Sequence, residues 1–125
     1  MGDTSNASAK TNTADVLAVL DRFGEAWNDH DLDAALALVS DDCVFESTGP
    51  APEGGRFQGK AQLREAWGSI FANPASRFTV EDTFAAGDRV AQQWRYSWGN
   101  GSVRGVDLFR VADGLVREKL SYVKG

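Results

Sequence analysis

The chain has 125 residues, 42% of them hydrophobic and 25% charged, which is room for one domain around one core. Its formal net charge is −5 and its 13 Lys and Arg are scattered, so the basic stripe of a nucleic-acid binder is missing and anionic membranes are unfavourable partners. One Cys excludes an intrachain disulfide, one His excludes metal sites built on several His and Cys, and no run of about 20 apolar residues is present to span a membrane.

Residues 1–12, MGDTSNASAKTN, are small and polar, lack the apolar stretch of a signal peptide, and read as a disordered tail ahead of a single domain over 13–125. A cytoplasmic location is the corresponding expectation. Thr13 or Asp15 can cap a first helix that runs to about Asp29, with Val16, Leu20, Phe23 and Trp27 on one apolar face. HDLD marks a tight break, and a short second helix follows from Asp31 with Leu32, Ala35, Leu36 and Val39 on its buried side. DDCVFES reads as a strand, and Cys43 within it as a buried structural thiol. The Gly- and Pro-rich stretch TGPAPEGGRFQG is expected to be a long loop. Its Gly54-Gly55 pair offers hinge freedom, and Phe57 could close over a ligand, so residues 48–58 are a candidate lid. A third helix starts near Lys60, carries Leu63, Trp67, Ile70 and Phe71, and ends at Asn73-Pro74.

Four strands then follow, at about 77–85, 89–98, 102–111 and 115–123, separated by Ala86-Gly87-Asp88, Gly99-Asn100-Gly101 and Ala112-Asp113-Gly114. Such short loops make neighbouring strands antiparallel. The fold class is therefore α+β: a curved, cone-shaped, largely antiparallel sheet whose N-terminal helices close over a pocket. A three-residue loop at Ala112–Gly114 sets Asp107 opposite Lys119, and a two-residue turn at Asn100-Gly101 sets it opposite Trp94. One sheet face then carries Trp94, Tyr96, Trp98, Asp107, Phe109, Lys119 and Ser121, and the other carries Arg95, Arg104, Val106, Leu108 and Leu120. Large aromatics beside an acid and a base suggest a pocket; the same set is also consistent with plain core packing in which Asp107 and Lys119 satisfy each other.

The string RFGEAWNDHDLDAALALVSDDCVFES with its Gly-rich sequel, and the closing string RGVDLFRVADGLVREKLSYVKG, resemble the nuclear-transport-factor-2-like superfamily, in particular its SnoaL-like branch, over residues 14–124. That resemblance implies a cone-shaped domain and a reaction class drawn from ketosteroid isomerases, epoxide-hydrolase-like enzymes, polyketide cyclases, dehydratases or non-catalytic binders. Of the isomerase pattern, the tyrosine position is Phe23, the base position is Ser47 and the oxyanion acid is matched by Asp107. Of the epoxide-hydrolase pattern, the matching positions are Phe45, Ser47 and Ser121, all changed. In the cyclases an acidic pocket residue moves protons, a role Asp107 could fill.

The resulting expectation is acid/base chemistry without a metal or an organic cofactor, on a small, largely apolar carbonyl compound, with Asp107 as the proton-transfer residue. Tyr96 or Ser121 would orient the ligand, beside Lys119. Phe23, Trp27, Phe45, Ser47, Phe57, Trp94, Trp98 and Phe109 would complete the pocket. The alternatives are a binding or accessory module with the same pocket and a structural dimerisation domain with a filled core. A cavity on the scale of ligand sites, several hundred cubic ångströms, separates the last from the others. The apolar outer sheet face, Val106, Leu108 and Leu120, is expected to form a homodimer.

Overall fold

The computed structural model describes residues 12–125. Of the expected tail, 1–12, all but Asn12 lies outside the described residues, and Asn12 belongs to the domain. It, rather than Thr13 or Asp15, caps helix α1 (Thr13–Asn28), its side-chain oxygen accepting from the amides of Ala14 and Asp15. The helix buries Val16, Val19, Leu20, Phe23, Ala26 and Trp27, the face its periodicity predicts. The chain reverses through His30, at φ 58°, and Asp31 caps α2 (Leu32–Ala37) by accepting from Ala34 N. Strand β1 (Val39–Glu46) follows, then β2 (Arg56–Gln58), α3 (Lys60–Ala72), β3 (Arg77–Ala86), β4 (Arg89–Ser97), β5 (Ser102–Ala112) and β6 (Leu115–Val123).

The six strands form one mixed sheet in the order β2-β1-β6-β5-β4-β3. β1 runs parallel to β6 and the other neighbours are antiparallel, so the sheet is open, with β2 and β3 at its edges. β2 lies inside the stretch expected to be loop; its three residues, paired as Val44–Gln58, Phe45–Phe57 and Glu46–Arg56, are too few for alternation to show in sequence. The helices cover the concave face. Leu63 and Trp67 of α3 reach full burial there with Val39, Val111 and Val116 of the sheet, and Phe23 and Trp27 of α1 meet Trp67 edge-on. Among the described residues no helix is long and apolar enough to cross a membrane.

The strand register differs from the expected one by two residues at both hairpins. Ser97 pairs with Ser102, leaving a four-residue connection closed by Trp98 N–H donating to Gly101 O, so Asp107 lies opposite Gln92 and not Trp94. At the last hairpin Ala112 pairs with Leu115 across a two-residue turn, Asp113 and Gly114, both at positive φ. A bulge at Arg117 then adds a second residue of shift, so Asp107 faces Ser121 and Lys119 faces Phe109. Because the side-chain period of a strand is two, a slip of two keeps every side chain on its face. The predicted concave set is therefore preserved while its cross-strand neighbours change.

Candidate functional site

Asp107 on β5 and Lys119 on β6 are buried, 4% and 6% exposed, under the C-terminal half of α1. They sit diagonally across the strand pair, and Lys119 Nζ lies 3.1 Å from Asp107 Oδ2. The ammonium also donates to Ser121 Oγ at 3.1 Å and stands over the rings of Trp27 and Phe45, 5.0 and 5.1 Å from their centroids. Lys119 is thus held on several sides, as a buried charge must be. Asp107 is not: its Oδ1 is buried without a hydrogen-bond partner. The indole N–H groups of Trp27 and Trp94 are in the same condition. A buried polar group left unpaired costs about 1–3 kcal/mol, and native proteins keep few of them.

These groups meet at a cavity. Phe23, Trp27, Phe78, Trp94, Asp107, Phe109 and Lys119 are among its walls, and its volume is about 50 Å³. Trp94 can lie flat on the sheet because its neighbour across the ladder is Gly105; a Cβ there would come within 2.5 Å of the indole ring. The cavity adjoins a larger cleft of about 460 Å³ between α1 and β3, and Gly24, Asn28, Phe78, Val80 and Gln92 line both. The cleft reaches outward past Leu17, Leu20 and Asp21 on α1 and Thr83 and Ala85 on β3. The inner cavity alone falls below the scale of a ligand site; with the cleft it reaches that scale.

Of the residues expected at the site, Phe23, Trp27, Trp94, Asp107, Phe109 and Lys119 line the cavity. Phe45 and Ser121 stand behind it as partners of Lys119. The structure places the others elsewhere. Ser47 is at the β1–β2 connection, where its Oγ donates to Gly49 O at 2.7 Å and accepts from Gly55 N–H at 2.9 Å. Phe57 stacks on Phe45 with ring centroids 5.9 Å apart. Tyr96 stacks on Phe78 and accepts from Ser76 Oγ at 3.0 Å, and Trp98, 38% exposed, continues that aromatic row outward. The stretch 48–58, expected as a lid, lines neither the cavity nor the cleft: it comprises the tip of the β1–β2 hairpin and β2 itself, the tip tied by Ser47 N–H donating to Gly55 O and Gly54 N–H to Pro50 O. The open side lies instead between α1 and β3. Gly24, Asn28, Phe78, Val80 and Gln92 were not anticipated. Phe78 and Val80 alternate toward the concave face and Gln92 is opposite Asp107, so the correct register would have revealed Gln92.

Cys43 is fully buried on β1, and burial pushes its thiol up to about 12, a shift that nearby Lys119 partly opposes. It is a structural thiol, as its apolar surroundings predict. Among the described residues no group of three or more His, Cys, Asp and Glu gathers to hold a metal ion.

The model of the SnoaL-like domain matches residues 20–119. The chain belongs to the SnoaL-like family. The matched span runs from the middle of α1 to Lys119, so it takes in both members of the buried ion pair. Solved structures agree on the nuclear-transport-factor-2-like architecture of this SnoaL-like domain. An NTF2-like protein of unknown function from Mesorhizobium loti is 41% identical, covers 90% of this chain and 93% of its own, and superposes with a TM-score of 0.82. A computationally designed 17-OHP binder is 26% identical over 88% of this chain and 91% of its own, with a TM-score of 0.77. A protein with a cystatin-like fold from Methylobium petroleophilum PM1, 20% identical over 93% of this chain and 80% of its own, has a TM-score of 0.80. No match is found among curated proteins.

Proposed function

We propose that this SnoaL-like domain takes a small, largely apolar carbonyl compound into the cleft between α1 and β3 and performs acid/base chemistry on it with Asp107. The observation that carries this reading is the free Asp107 Oδ1, a buried acceptor on a cavity wall, with the other oxygen fixed by Lys119. In the proposed step a C–H bond next to the carbonyl breaks, its proton goes to Oδ1, and the electron pair moves onto the carbonyl oxygen. The partnerless indole N–H groups of Trp27 and Trp94 are donors available to that oxygen. Return of the proton to another carbon completes an isomerisation; the same first step opens a cyclisation or a dehydration. Phe23, Phe78 and Phe109 supply the apolar walls, and the proposed step calls for neither a metal nor an organic cofactor. The designed 17-OHP binder on the same fold supports the cavity as a small-molecule site.

A second reading, a binding module without turnover, is favoured by the residues at Phe23 and Ser47: the first cannot donate a hydrogen bond and the second lies away from the cavity, so among the described residues of the cavity wall Asp107 has no titratable neighbour other than its own ion-pair partner Lys119. Exchange of α-protons for deuterium in cyclohexanone and 2-cyclohexenone, followed by proton NMR, separates the two. Wild type is expected to accelerate exchange over buffer and Asp107→Asn to fall to the buffer rate. Binding of these ketones without exchange would establish the module reading, and a folded Asp107→Asn protein with wild-type exchange would remove Asp107 from the chemistry. The same proposal includes a homodimer through the outer sheet face, where Phe84, Leu108 and Tyr122 are exposed.

A further inference from the structure

Gly24 is the twelfth of the 16 residues of α1, in the interior of a helix that spans Thr13–Asn28. Glycine is the poorest helix former after proline, so α1 gives up about 1 kcal/mol at this position relative to alanine. Close packing does not account for it: a Cβ built at Gly24 meets no atom within 4 Å. The open space beside it is not bulk surface alone, because Gly24 lines both the inner cavity and the outer cleft. Across from it, Val80 of β3 and Gln92 of β4 also line both. Asn28 and Phe78 close one end of this ring, bound to each other by two hydrogen bonds of 2.9 Å between the Asn28 amide and the Phe78 backbone.

We infer that Gly24 sets the width of the passage from the cleft to Asp107, and that the passage selects an elongated ligand: a small carbonyl-bearing end at Asp107 and an apolar body lying along α1 and β3. This inference rests on the site proposed above and adds the shape of the molecule it takes. The inner cavity, at about 50 Å³, holds little beyond a small head, whereas the cleft, at about 460 Å³, has room for a ring or chain attached to it. Leu17, Leu20 and Ala85 give that body apolar contact, and Asp21 and Thr83 stand where a polar end would emerge. A side chain at position 24 would project into the connection between the two spaces without disturbing the core.

The width-setting role is tested without any ligand. Gly24→Leu is expected to slow hydrogen exchange of the Trp27 and Trp94 indole N–H groups at least tenfold, relative to that of Trp67, followed by NMR. Trp67 is the internal control because its indole N–H is equally buried and partnerless but it does not line the cavity. Gly68→Leu is the second control: Gly68 is also inside a helix with no atom within 4 Å of its Cβ position, yet it lines neither space, so all three indoles should keep their relative rates. Ligand shape is tested with cyclohexanone and 4-phenylcyclohexanone. Wild type should bind the second at least tenfold more tightly, Gly24→Leu should lose that preference, and Gly24→Ala should keep the fold with a higher melting temperature. A folded Gly24→Leu protein whose Trp27 and Trp94 exchange at wild-type rates relative to Trp67 overturns the passage. Equal affinity of wild type for the two ketones overturns the elongated ligand. Loss of α-proton exchange in Asp107→Asn reports on the site itself, so failure of the passage and failure of the site are read separately.

Discussion

Lys119 touches Asp107, Ser121 and the faces of Trp27 and Phe45, whereas Asp107 has Lys119 on one oxygen and no partner on the other. The two members of the pair should therefore respond differently to truncation. Lys119→Met leaves a buried carboxylate with neither oxygen paired and should cost about 3–5 kcal/mol. Asp107→Asn keeps an amide oxygen near the ammonium, which also retains Ser121 and both rings, and should cost less, about 1–2 kcal/mol. Urea denaturation of the two variants checks the order; equal losses would mean that Ser121 and the rings give Lys119 no useful support. Cys43 belongs to the same scale. Its thiol is raised in the folded chain from 9.0 to about 12, so in strongly alkaline solution the unfolded chain releases this proton first. The buried neutral thiol thus contributes stability that is fully present below pH 9 and is lost as pH rises through about 12. Cys43→Ala should lose less stability than wild type over that window, measured by denaturant unfolding at successive pH values. Native Cys43 should also resist thiol reagents near neutral pH until the chain unfolds.

At the scale of elements, α1 is fastened to the edge strand β3 by side chains. Asn28 accepts from the Phe78 amide and donates to its carbonyl, both at 2.9 Å, in the manner of a neighbouring strand, and His30 Nε2 lies 2.7 Å from Ser76 O. Asn28→Ala strips Phe78 of both partners at a half-buried position and should cost about 2–3 kcal/mol. Faster exchange of the Phe78 amide, with the β5 and β6 amides unchanged, would show that the clamp acts locally. None of this is written in hydrophobic periodicity, which is why Asn28 escapes a reading based on pattern while its neighbour Trp27 does not. The strands show the same division. Alternation of large and polar residues places Asp107, Phe109 and Lys119 on one face, but a register shifted by two has the same alternation, and turn length decides between them. Asp113 at φ 56° allows a two-residue turn where the sequence suggests three, and Arg117, whose guanidinium reaches back to Ala112 O and Asp113, takes up the bulge. The helices, the four C-terminal strands and the buried pair were legible because burial writes them at fixed spacing. The short strand β2 and the cleft beside Gly24 were not, because one is too brief for a period and the other is a space between elements far apart in sequence.

At the scale of the whole molecule, the helices cover one face of the sheet and leave the other open. On that open face Phe84, Ala91, Leu108 and Leu120 stand directly opposite one another in turn, an apolar row crossing four strands. Phe84 is 58% exposed and Leu108 37%, beside Tyr122 at 51%. A continuous apolar surface of this kind is uncommon on a monomer, and its burial against a second copy removes it from water at about 25 cal/mol per Å². Charged pairs flank the row: Glu81 with Arg95 and Arg104 on one side, Arg110 with Glu118 on the other. Such pairs suit the rim of an interface, where water screens them and they guide register more than they add affinity. β3 supports the arrangement, since its bulge after Val80 turns Glu81 and Asp82 together toward the outer face while returning Thr83 to the concave one. The expected outcome is a homodimer sedimenting at twice 13.5 kDa at micromolar concentration. Leu108→Asp places a charge at the middle of the row, on a side chain that the monomer already exposes, so the fold should survive and the dimer should not. Equilibrium sedimentation with a circular dichroism spectrum of the same sample reads both. Wild type sedimenting as a monomer would leave the row without this partner, and a Leu108→Asp dimer of undiminished affinity would place the interface elsewhere.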